Sequence, residues 1–107
     1  MAKFMYLYRG PATSMSDLTP EQGAERTAAF AAWMRKVGEA LVEVGAPFGT
    51  STSVRDDGTE GPAGDLVGYT IVEADNLVAA KALTDGLPFL SNRDGRCAVE
   101  IFELQPM

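Results

Sequence analysis

The sequence predicts an α+β domain: a four-stranded antiparallel sheet with two helices on one face, in the order β-α-β-β-α-β. Three observations carry this. Residues 3–8 and 66–74 alternate as strands do and are rich in aromatic and β-branched residues. Each is followed by a stretch with helix-start signals, the first long and the second short. A last alternating segment, "RCAVEIFEL" (96–104), supplies the closing strand.

In "KFMYLYRG", Phe4, Tyr6 and Tyr8 fall on one face and Met5 and Leu7 on the other, so both faces are largely apolar. Gly10 and Pro11 break the strand and open a polar loop. Thr19 is an N-cap, Pro20 suits the first helical position, and Gln22 closes a capping box. Glu21 and Glu25 favour the positive end of the helix dipole. Phe30, Met34, Val37, Leu41 and Val44 recur at helical spacing with Trp33 beside them, and Gly45 is placed to end the helix, so the pattern predicts a helix over 20–44. A second strand is expected near 50–55, and "RDDGTEGPAGD" (55–65) is turn chemistry.

"LVGYTIVEA" (66–74) is the clearest strand, again apolar on both faces. Asp75 is expected to N-cap a short helix with Leu77, Ala80 and Leu83 inward, Gly86 after its end and Pro88 blocking continuation. "SNRDG" (91–95) reads as a turn, and Val99 and Ile101 share one face of the last strand. The whole, residues 1–107, is one domain without repeats or linkers. Two helices cover only one face of a ferredoxin-like sheet. The other face, apolar on the first and third strands, calls for a second copy of the chain, a homodimer of stacked sheets.

Composition excludes several functions. Net charge is −6 and the nine basic residues form no run, which argues against nucleic acid and anionic membrane surfaces as partners. One cysteine, Cys97, allows no intrachain disulfide and fits a reducing compartment. No apolar run is long enough to span a membrane and no leader pattern opens the chain, so a cytoplasmic location is expected. There is no histidine. Acid–base chemistry would fall to a tyrosine, a lysine, Cys97 or a carboxylate, and lifting a Glu from about 4.3 to about 7 takes roughly 3–4 kcal/mol of environmental bias. Histidine-based metal sites are excluded, "DDGTEG" lacks the EF-hand spacing, and no phosphate-binding glycine loop occurs. Neither metal nor cofactor is expected.

"MYLYRGP", "LVEVGAPFG", "GYTIVEADNLVAAKALTDGLPF" and "AVEIFEL", in that order, resemble the YCII-related family and its DGPF branch along nearly the whole chain. The resemblance implies a ferredoxin-like fold assembled into a dimeric α+β barrel, a group that includes cofactor-free monooxygenases and dehydrochlorinase-like enzymes. It also implies a possible accessory role beside extracytoplasmic-function sigma factors. The family's proposed His–Asp pair on the first helix falls near Ala28 to Phe30 and near Val37 or Gly38, where neither residue type stands. Of the DGPF signature only Gly61-Pro62 remains. The family's pair is therefore carried over to no residue, and no catalytic residue is assigned.

A pocket between sheet and first helix is expected, lined by Tyr6, Tyr8, Phe30, Trp33, Pro47 and Tyr69. Each aromatic has a plainer reading as core. Gly68 beside Tyr69 suggests a close backbone approach. Arg9 is placed to hold a carboxylate or to form an ion pair, and Asp65 is a ligand-site carboxylate or turn chemistry. The reading favoured is a binding module for a small aromatic or anionic ligand. The alternatives are a cofactor-free isomerase, lyase or oxygenase using tyrosine or carboxylate acid–base chemistry, and an accessory subunit with a protein partner.

Overall fold

A computed structural model describes residues 1–10, 18–90 and 95–106. The chain runs β1 (Ala2–Arg9), α1 (Pro20–Val37), β2 (Leu41–Glu43), β3 (Ser53–Val54), β4 (Glu60–Gly61), β5 (Leu66–Ala74), α2 (Leu77–Ala82) and β6 (Ala98–Glu103). The main sheet has the order β2-β5-β1-β6 and is antiparallel throughout, the expected ferredoxin-like arrangement. The loop residues 11–17 and most of the turn expected at 91–95 lie outside the described residues.

Register decides which residues meet the helices. Tyr6 stands opposite Thr70 of β5 and Ile101 of β6. Phe4, Tyr6, Tyr8, Thr70 and Val72 therefore share one face, and all five are buried. Trp33 of α1 seals that face, its ring centroid 6.4 Å from that of Tyr6. Burying a large apolar side chain of this kind stabilises by about 1.5–3 kcal/mol. The opposite face carries Met5, Leu7, Tyr69, Ile71 and Phe102, with no helix over it among the described residues.

α1 starts as its sequence requires. Gln22 N–H donates to Thr19 Oγ1 at 3.1 Å and Thr19 N–H to Gln22 Oε1 at 3.0 Å, closing the capping box. It does not run to residue 44. Gly38, at φ +62°, ends it, its N–H donating to Met34 O, and one 3₁₀ turn leads into β2. Leu41, expected on the helix stripe, is instead a strand residue opposite Val72, and Val44 is exposed. Gly45 is not the helix end. It sits at φ +80° where a Cβ would lie 1.8 Å from Tyr69 O, because the chain hugs β5 there.

The second strand of the sheet is thus 41–43. The strand expected at 50–55 exists as β3, but it pairs with β4 in a separate two-stranded hairpin. α2 is capped by Asn76, not Asp75: Asn76 Oδ1 accepts from Ala79 N–H at 2.8 Å. Leu77, expected inward, is 54% exposed, whereas Ala80 is buried and Leu83 packs against the core. Gly86 has φ +83° but lies beyond the helix, which ends at Ala82.

Candidate functional site

α2 has only six residues, and the backbone N–H groups just after it serve Ala79, Lys81 and Ala82 O. Side chains from two other elements serve Ala80 O and two carbonyls beyond the helix. Tyr6 Oη–H donates to Ala80 O at 2.5 Å, and Trp33 Nε1–H to Leu83 O at 2.8 Å. Lys36 Nζ reaches Asp85 O at 3.2 Å and Asp85 Oδ2 at 2.8 Å. Tyr8 joins a chain of hydroxyls. Thr70 Oγ1–H donates to Val44 O at 2.9 Å, which leaves Tyr8 Oη–H as donor to Thr70 Oγ1 at 2.6 Å. Phe30 and Phe89 pack on Trp33 and Tyr8, with centroids 5.7 Å and 5.1 Å apart. Among the described residues no buried side-chain polar atom lacks a partner.

These partners fix the chemistry of the two buried phenols. Burial, with Tyr8 adding to it, pushes the Tyr6 hydroxyl up to about 12. Burial also raises Tyr8, against the opposing bond to Thr70. Both stay protonated at neutral pH and act as donors only.

The eight residues singled out from sequence do not meet in one place. Tyr6, Tyr8, Phe30 and Trp33 fill the layer between sheet and helices. Tyr69 is on the open face, where its hydroxyl donates to Glu43 Oε1 at 2.5 Å and its ring stacks on Phe48 at 5.9 Å and 22°. That bond to Glu43 raises the Tyr69 phenol. Arg9 forms an ion pair with Glu100, with Asp65 adding to the charge that keeps it protonated. Asp65 is itself exposed. Pro47 is exposed and bridges to Gly68, the close approach expected there.

An open groove of about 650 Å³ runs along the outer side of α1, against residues 84–90. Its apolar lining is Leu18, Ala29, Leu87, Pro88 and Leu90; Gln22, Glu25, Arg26, Thr84 and Asp85 bring polar groups to it, with Asp85 paired to Lys36. Gln22, Arg26 and Ala29 follow helical spacing on one face of α1. Arg26 is half-buried and has no ion-pair partner among the described residues. No sequence motif marks this groove. Its walls lie about sixty positions apart, and the only local signal is the small residues beside Arg26, which leave that helix face low. Among the described residues no cluster of three Cys, Asp or Glu side chains is placed to hold a metal ion, and no helix is long and apolar enough to cross a membrane.

No family model and no curated protein sequence matches the chain. A solved structure does. The 5-chloro-2-hydroxyhydroquinone dehydrochlorinase of Burkholderia phenoliruptrix AC1100, in complex with 2,5-dihydroxybenzoquinone, superposes with a TM-score of 0.56. The match covers 96% of this chain and 93% of that one at 17% identity. At that identity the likeness establishes the shared α+β fold.

Proposed function

We propose that this chain is a small-molecule-binding α+β barrel of the YCII-related kind, working as a homodimer, and that it binds a small anionic ring compound in the groove along α1. The observation that carries this reading is Arg26, a half-buried guanidinium without an ion-pair partner among the described residues, set above an apolar floor. An apolar floor in a groove of this size suits a ring-sized ligand, and a guanidinium fork suits a carboxylate or phenolate, while the exposed Glu25 and the Lys36-paired Asp85 lie elsewhere on the lining. The fold neighbour's complex with a dihydroxybenzoquinone supports the choice of probes. The apolar open face supports the homodimer.

The test is thermal unfolding with benzoates, hydroxybenzoates and hydroxyquinones. A compound at about 100 times its Kd should raise Tm by on the order of 10 °C, and Arg26→Gln should abolish the rise. No rise with any compound, or a rise that survives in Arg26→Gln, overturns the assignment.

A further inference from the structure

Residues 48–65 leave the sheet and return to it. The outgoing end is held by Phe48 N–H donating to Val67 O at 2.8 Å, the returning end by Gly10 N–H donating to Asp65 O at 3.3 Å. Between them β3 and β4 pair with each other and, among the described residues, join no other strand. The turn is built from its own groups. Arg55 N–H donates to Thr59 O at 2.8 Å and Gly58 N–H to Arg55 O at 2.9 Å. The Asp57 carboxylate accepts from Thr59 N–H at 3.0 Å and from its hydroxyl at 2.7 Å. This is a preformed arm.

Its setting is unusual in two respects. A lone two-stranded hairpin is marginal in water, and this one has two residues in each strand with Val54 67% exposed. The molecule is also extended, 45 × 38 × 23 Å. Its radius of gyration is 15.3 Å, against about 13 Å for a compact chain of this length.

The arm starts on the open face, where Phe48 stacks on Tyr69. That face leaves Phe102 51% and Phe48 44% exposed, and the arm that starts from it leaves Val54 67% exposed. Resting on the homodimer reading above, we propose that the arm of each copy clasps the other copy, adding its own contact to that of the stacked sheets.

The test is a sedimentation dilution series on the full chain, on Val54→Asp, on Phe102→Glu of the open face, and on a variant with residues 52–62 replaced by Gly-Ser-Gly. The expected result is a dimer that all three changes weaken tenfold or more while far-UV circular dichroism is retained. A dimer weakened by Phe102→Glu but not by either arm variant overturns the arm and leaves the homodimer standing. A wild-type chain monomeric up to about 100 μM overturns both. Should the shortened variant not fold, amide exchange on the wild type decides: slower exchange of residues 52–62 at dimer concentrations supports the clasp, and exchange unchanged on dilution overturns it.

Discussion

The Tyr6 hydroxyl caps the Ala80 carbonyl at 2.5 Å, tying the centre of β1 to the end of α2. Thr84 N–H, the donor a longer helix would offer, goes to Lys81 O instead. Tyr6→Phe keeps the ring and removes this donor, leaving a buried carbonyl unpaired. The expected loss is about 1–3 kcal/mol, read from urea unfolding. A loss below about 0.5 kcal/mol, the level of an ordinary surface change, would mean that water replaces the hydroxyl without cost.

The same phenol sets an alkaline limit. Its folded pKa, about 12, lies above the ordinary tyrosine value of 10.0, and Tyr8 is raised as well. Above pH 10 the unfolded chain releases these protons before the folded one does, so the folded state binds more protons and stability falls as pH rises. The contribution is intact below about pH 10 and is lost by about pH 12. Tm measured across that window should fall steeply in the wild type and less steeply in Tyr6→Phe. Parallel profiles would show that other groups set the limit.

Tyr69 differs because its partner is a charge. The Glu43 carboxylate accepting its proton disfavours the phenolate. Glu43→Gln keeps a hydrogen-bond acceptor and removes that charge, so the Tyr69 pKa should move down. Tyr69 is the least buried of the three tyrosines, and its share of the ultraviolet phenolate signal is the part that Tyr69→Phe removes. The onset of that share should shift to lower pH in Glu43→Gln. An unchanged onset would show that the pair does not persist in solution.

Strands β1, β5 and β6 and the start of α1 were legible because each is specified by adjacent residues, whereas the sheet's second strand, expected near 50–55, is 41–43. The capping box of Thr19 and Gln22 and the alternation of residues 66–74 both survive intact in the structure. The end of α1 was not, because Leu41 and Val44 continue the helical spacing by coincidence while Gly38 breaks the backbone. Asp75 and Asn76 are both good caps, and only the first helical hydrogen bonds choose between them. Trp33, beside the stripe, takes its plainer reading as core and anchors α1 to the sheet. The candidate site was least legible. Tyrosines mark polar chemistry in a sequence, but here two of their hydroxyls serve the core. The groove joins Arg26 to a segment its own neighbourhood does not announce.

Gly45 and Gly58 separate two costs that sequence cannot distinguish. Both have positive φ, +80° and +88°, so an alanine at either meets the left-handed penalty of about 1–2 kcal/mol. At Gly58 an added Cβ meets nothing within 4 Å. At Gly45 it would lie 1.8 Å from Tyr69 O and 2.6 Å from Tyr69 C, backbone atoms of β5 that cannot swing aside. The chain must then pull away from β5, breaking the bonds of Tyr69 N–H to Ala46 O and Phe48 N–H to Val67 O. Gly45→Ala should therefore cost about 2 kcal/mol or more beyond Gly58→Ala, placing it among the severe substitutions. It should also speed amide exchange at Tyr69, which Gly58→Ala should leave alone. Equal costs for the two variants would mean that the 44–48 segment does not hug β5 in solution, and the edge of the sheet would then end at β2.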